Sequence, residues 1–281
     1  MDFICIVINK NSDLDISINF YDTPLLDKEL ILETILPAIN EVSKQDFELV
    51  LGSKIPVAKY TDWETKEQCD LVVNGFLGII NSELIRTYIK CDQRYHKIGY
   101  FIKCWTKHWN LVGASNGFLS SYAWQILIIY FLQKGLEVPV LPNLQDFDSE
   151  IHKHIVHYEP RIKTSEVYQT NCYFRKDVEQ VMTELYDKHG RNEMSTAELI
   201  YKFFEFYSST FTKDQIISIK DSDLKTKSSP DHLAFSIVDP FQVEFDPGHT
   251  LKSHSTWFKS TKLKMEDMML LINNGKSIFY E

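Results

Sequence analysis

Three carboxylates and two lysines are the side chains of this chain whose types and spacing bear on chemistry. Asp13 and Asp15 stand two apart in Asn11-Ser-Asp-Leu-Asp-Ile-Ser-Ile18, and Asp70 lies in Cys69-Asp-Leu-Val-Val73. On a strand, residues i and i+2 point to one face. A strand over 11–18 therefore presents Asp13 and Asp15 together, with Leu14, Ile16 and Ile18 supplying its apolar character. Asp70 from a neighbouring strand completes an all-oxygen donor set, the kind that suits Mg²⁺ or Mn²⁺ in phosphoryl-type chemistry. The same Ser-Asp-Leu-Asp also reads as a turn or helix cap. Lys103 and Lys107 are i and i+4 on one helix and share a face. Two ammonium groups one turn apart repel unless an anion sits between them; the alternative is a solvated face. In Gly117-Phe-Leu-Ser-Ser-Tyr122, Ser121 offers a hydroxyl and a helix-start N–H to a phosphate, and Tyr122 offers a ring on which a base can stack. A capping serine and a core tyrosine are the plainer reading of that pair.

The elements that must position these residues follow from periodicity. Residues 3–8, 14–18, 47–51, 54–60 and 71–73 read as strands, and 27–42 reads as a helix with Leu30, Ile31, Ile35, Leu36 and Ile39 at helical spacing and Pro37 as its kink or end. This is a small mixed sheet with a helix on it. From Asn74 the pattern turns helical, over 76–88, 95–109 and 119–133, with Asp92 expected to cap the second and Ser120 or Ser121 the third. Residues 143–195 read as loop or short helix. An amphipathic helix is expected at 195–207, short strands at 216–219 and 235–238, and a last helix at 265–274.

At 281 residues the chain has room for two domains with real cores. The composition, 44% hydrophobic and 25% charged, is that of an ordinary globular protein. A net charge of −9 argues against non-specific coating of nucleic acid; an RNA enzyme of this charge needs a local basic cleft or a basic partner. Five cysteines without a Cys-x-x-Cys pair fit a reducing compartment, and no apolar run reaches a membrane span. His152, His154 and His157 with Glu159 have zinc-ligand types, but no framing element, and read as a solvated loop.

From Asn11 to about His249 the chain resembles the RNA terminal nucleotidyltransferases, the terminal uridylyltransferases and cytoplasmic-type poly(A) polymerases of the polymerase-β-like superfamily. The resemblance is carried by the blocks already quoted, by Asp70 through Asn81, by Gly99-Tyr-Phe-Ile-Lys-Cys-Trp-Thr-Lys-His108, and by Ser236-Ile-Val-Asp-Pro-Phe241. It implies an α+β fold in two lobes: a nucleotidyltransferase palm over 1–73 and a mostly helical lobe over 74–281 with a poly(A)-polymerase-associated region at about 195–260. A nucleotide cleft is expected between the lobes. It implies that Asp13, Asp15 and Asp70 hold two Mg²⁺ (or Mn²⁺) ions, that Lys103, Lys107 and Ser121 hold the triphosphate, that Tyr122 carries the base and Asn81 the ribose hydroxyls. Asp239 and Gln242 belong to the loop that reads the base edge. The implied reaction is template-independent addition of ribonucleotides to an RNA 3′ end, uridylates from UTP first and adenylates from ATP as the alternative. A catalytically inactive member acting as a binding subunit is the reading from another class. A protein partner supplying RNA choice, a cytoplasmic location and no membrane association complete the expectation.

Three departures stand out. Gln242 occupies a position where an acid is common. Phe245 stands where uridylyl-adding members often carry a histidine, and the nearest histidine is His249. The family's Gly-Ser phosphate motif, about a dozen residues before the first Asp, is missing, which reads as truncation of the chain's start rather than degeneration.

Overall fold

The computed structural model describes residues 3–6, 14–20, 27–44, 47–51, 55–158, 167–229 and 231–274. The architecture is α+β. It comprises β1 (Phe3–Ile6), β2 (Leu14–Ile18), α1 (Lys28–Ser43), β3 (Glu48–Val50), β4 (Val57–Thr61), β5 (Gln68–Val73), α2 (Phe76–Cys91), α3 (Gln93–His108), α4 (Ser121–Lys134), β6 (Ile155–Tyr158), β7 (Tyr168–Asn171), α5 (Val178–His189), α6 (Thr196–Glu205), β8 (Gln215–Ile217), β9 (Lys225–Thr226), β10 (Ser236–Ile237) and α7 (Thr256–Asn273). The chain divides into two compact units, Met1–Leu84 with Lys153–Cys172, and Ile85–His152 with Tyr173–Glu281. The division thus falls inside α2 rather than at 73/74, and the β6–β7 hairpin joins the first unit.

In the first unit the sheet order is β1-β2-β5-β4-β3. β2 and β5 run parallel and the other pairs are antiparallel. Alternation decides the faces. Ile18, Ala58, Leu71 and Val73 point to α1 and form a core with Leu32 and Ile39 of that helix. Asp27 starts α1, its side chain accepting from the Leu30 amide at 3.0 Å. Pro37 does not end the helix, which continues to Ser43 and closes on Lys44 in the left-handed region (φ 48°).

In the second unit aromatic side chains interlock. The Trp105 ring on α3 lies 5.9 Å from Trp124 on α4 and 4.9 Å from Phe204 on α6, and Phe131 meets Phe203 at 5.6 Å. Edge-to-face pairs of this kind add about 0.5–1.5 kcal/mol each to area burial. Asp92 caps α3 through the Arg94 amide, and the Arg94 guanidinium reaches the Asn192 and Met194 carbonyls at 2.9 and 2.6 Å, tying α3 to the entry of α6. Ser195 and Glu198 close a capping box on α6.

Two expectations are corrected here. Residues 143–195 are not loop alone: they hold the β6–β7 hairpin and the twelve-residue helix α5. The last helix begins at Thr256 rather than at 265, because Thr261, Met265 and Met268 make one buried stripe and Ser255 caps it.

Candidate nucleotidyltransferase site

Asp15 and Asp70 are register partners on the parallel strands β2 and β5, so their side chains leave the same face of the sheet, the face opposite α1. Asp15 is exposed and Asp70 half-buried. The row continues across β4 and β3, where Lys59 is the partner of Asp70 and Glu48 the partner of Lys59. Lys59 Nζ donates to Asp70 Oδ2 at 2.6 Å. Asp13 lies outside the described residues, and among the described residues no three acid, His or Cys side chains gather as a metal site. The Asp15–Asp70 pair supplies only oxygen donors, which fits a hard divalent cation.

The register that aligns the two carboxylates is locked just past them. The Asn74 amide donates to the Ile18 carbonyl at 2.8 Å, the Phe20 amide to Asn74 Oδ1 at 2.8 Å, and the Gly75 amide to Ser17 Oγ at 2.9 Å. Ser17 in turn donates to Asn19 Oδ1. A Cβ on Gly75 would stand 2.9 Å from both Ser17 Oγ and Val72 Cγ2, which is why glycine occupies the turn into α2. Asn81, half-buried, sits on that helix in the first unit.

The remaining candidates belong to the second unit. Lys103, half-buried, and Lys107, exposed, lie on the side of α3 away from its buried Ile98, Ile102 and Trp105. Ser120, not Ser121, is the cap of α4, accepting from the Ala123 amide at 3.1 Å. Ser121 is the first, exposed residue of the helix, and Tyr122 beside it is half-buried. Asp239 is 1% exposed, and its Oδ1 accepts from the Phe241 and Gln242 amides, both at 2.9 Å. Its carboxylate therefore holds the turn on which Gln242, also buried, is carried. Burial pushes the nearby Lys220 amine down, while the Asp221 and Asp239 carboxylates act in the other direction. Phe245 and His249 meet edge to face with ring centres 5.3 Å apart, and a ring nitrogen of His249 lies 2.7 Å from the Asp246 carbonyl. Burial raises the Asp246 carboxyl above its ordinary value.

The sequence reading missed Lys59 and the Ser17–Asn74–Gly75 clamp. Lys59 could have been found as the one charge in the apolar run Val57-Ala-Lys-Tyr, on the face shared with Asp70. The clamp leaves no sequence signal of its own. Zinc ligation at the histidine segment finds no support: His152 stacks on Tyr173 at 4.7 Å, His157 lies on β6, and Glu159 is outside the described residues.

Comparison with known proteins places this geometry. Residues 3–90 match the central palm domain of mitochondrial-like poly(A) RNA polymerases. Structures of the Cid1 poly(U) polymerase superpose with TM-scores of 0.78 (Mg 3′-dATP bound; 22% identity, 99% of this chain and 83% of that one) and 0.74 (with its short product ApU; 21% identity, 96% and 78%). The chain shares the fold of these structures. Caffeine-induced protein 16 of Schizosaccharomyces pombe is 30% identical over 247 residues, 84% of this chain and 19% of that protein. Poly(A) RNA polymerase GLD2 of Mus musculus is 29% identical over 62% of this chain and 32% of its own length. Human terminal uridylyltransferase 7 is 28% identical over 96% of this chain and 17% of its own length. The chain belongs to the RNA terminal nucleotidyltransferase family, and it spans about a sixth to a third of the length of these curated relatives. No described helix is long and apolar enough to cross a membrane.

Proposed function

We propose that this chain adds ribonucleotides to the 3′ end of RNA without a template. The observation that carries the reading is the Asp15–Asp70 register pair on the sheet face opposite α1, in a chain of this family. Asp13, Asp15 and Asp70 would hold divalent metal, which when bound neutralises triphosphate charge and makes the attacking hydroxyl more acidic. Asp70 orients the RNA 3′-hydroxyl and takes its proton. The hydroxyl oxygen bonds to the α-phosphorus in line, and pyrophosphate leaves. Lys103, Lys107 and the Ser121 hydroxyl hold the leaving phosphates, where two ammonium groups counter the charge that builds on them. Tyr122 stacks on the base, and Asn81, donor and acceptor at once, pairs with the ribose hydroxyls. Asp239 acts on the base through the turn it holds, with Gln242 at the base edge.

UTP is the first expected substrate. ATP is the second reading, and Phe245 favours it, because a phenyl ring cannot donate a hydrogen bond to a uracil carbonyl. The test is extension of a labelled single-stranded RNA with Mg²⁺ and each ribonucleotide singly. A ladder with UTP or ATP supports the proposal and decides between the two. Nucleotide binding without extension would replace it with the binding-subunit reading.

A further inference from the structure

The net charge of −9 is distributed unevenly along the chain. Residues 93–136 contain five basic residues and residues 247–265 contain four lysines, and all 39 carboxylate side chains lie elsewhere. The fold brings these two stretches together within the second unit. Thr250 Oγ1 donates to the Phe118 carbonyl at 2.7 Å, and Lys264 Nζ on α7 stands 3.9 Å over the ring of Trp109, just past the end of α3. The loop from Trp109 is folded back onto α3 and α4: the Leu111 amide donates to the Thr106 carbonyl at 2.7 Å, and Val112 pairs with Leu119. His108 lies edge-on to Trp109 at 4.8 Å, and Lys252, two residues beyond Thr250, is exposed. Trp109 itself keeps 36% of its surface. Asp267, one turn further along α7, pairs with Lys264 at 3.1 Å and offsets part of its charge. Positive charge is thus gathered next to Lys107, on a chain whose overall charge repels polyanions. Chance placement of acids does not favour such a gap in two stretches that meet in the fold.

We propose that this carboxylate-poor surface, made by the end of α3, the 109–119 loop, the segment from Thr250 and the first half of α7, carries the phosphodiester backbone of the single-stranded RNA acceptor, with Lys252, Lys264 and His108 touching phosphates beyond those held by the triphosphate lysines. The proposal rests on the RNA reading above and names where that substrate is held. Phosphate contacts of this kind are sequence-independent and salt-dependent.

The test is equilibrium binding of a labelled, unstructured RNA of about 16 nucleotides, a length that fills a typical single-strand site. It is run in EDTA without nucleotide, so that binding is read apart from catalysis. Lys252→Glu, Lys264→Glu and the double variant are compared with Lys188→Glu on α5, which makes the same charge change elsewhere. Lys264→Met, which removes the charge but keeps an unbranched apolar side chain of similar length beside Trp109, guards against a folding defect. The expected result is at least about tenfold weaker binding by the double variant, with the salt slope reduced by about 0.7 for each lysine–phosphate pair broken. The nucleotide KM at saturating RNA should be unchanged, and Lys188→Glu should bind as the parent. Equal binding by the double variant and Lys188→Glu would overturn the assignment of this surface while leaving the RNA reading intact. Competition by polyglutamate as strong as by RNA would overturn it in favour of an acidic protein partner. No RNA binding by the parent chain would remove both.

Discussion

The two units place their charge in opposite ways. The first mounts short carboxylates on paired strands, where hydrogen bonds at Ser17, Asn74 and Gly75 hold the register. The second mounts long ammonium side chains on helices braced by an aromatic core. A divalent ion demands a set distance from each ligand, which a two-bond aspartate on a locked strand can supply. A triphosphate or an RNA backbone changes position through a reaction, and a lysine on a flexible stem follows it as a point charge. The same division shows in the cores. Among the described residues the sheet and α1 share six buried aliphatic side chains with Phe20, Phe47 and Tyr60 partly buried against them, whereas the helical unit fully buries Trp105, Phe131, Phe203 and Phe204.

This contrast breaks most sharply at the carboxylates. Asp70→Asn should lower single-turnover incorporation on the order of 10³-fold or more while leaving the melting temperature close to that of the parent, since the pair with Lys59 is partly exposed. Retained incorporation would remove Asp70 from the site. In the helical unit the large effect should fall on stability: Phe203→Ala should cost about 3–5 kcal/mol in denaturant unfolding. A loss under about 1 kcal/mol would mean that the aromatic core does not brace the lysine helix. Lys107→Ala should raise the nucleotide KM about 10- to 100-fold, the worth of one charge-assisted contact, and an unchanged KM would return that lysine to the solvated face. Phe245→His should shift the UTP-to-ATP preference towards UTP by about tenfold, one good hydrogen bond. No shift would show that the base is read elsewhere in the loop. The smallest effect is electrostatic. Arg175 holds the Asp177 and Glu184 carboxyls below their ordinary range by donating to both. Depressed carboxyls stabilise above their unfolded pKa of about 4 and lose that contribution as pH falls through the folded values. Arg175→Met should therefore lower the melting temperature slightly at about pH 7, and the difference should vanish towards about pH 2.

Much of the frame was legible in the sequence because local rules governed it. The helices expected at 27–42 and 195–207 form as α1 and α6, Asp92 caps α3 as its position predicts, and the apolar alternation of β5 places Asp70 on the face opposite α1. Where partners are distant in sequence, the pattern was silent. The β6–β7 strands are four residues each, with Ile155 and His157 exposed, so no apolar face announces them. Helix α5 buries only Val181 and Met182 and lacks a side-chain cap. That the Asp239 carboxylate turns inward to hold the backbone is not visible in the sequence, because it goes with the burial of Phe241 beside it. The lone charge of Lys59 stands out in its apolar run, but its pairing with Asp70 follows only once β4 is set beside β5, and the meeting of the two acid-free stretches only once α7 lies against Trp109.

The most direct test of the central claim is a single-turnover extension assay with the parent chain and Asp70→Asn side by side, across a Mg²⁺ titration, with UTP and ATP each as sole nucleotide. The account predicts Mg²⁺-dependent addition to the RNA 3′ end by the parent and addition slower on the order of 10³-fold or more by the variant, with closely similar melting temperatures. Equal extension by the two proteins, or extension by the parent that persists in EDTA, would contradict it.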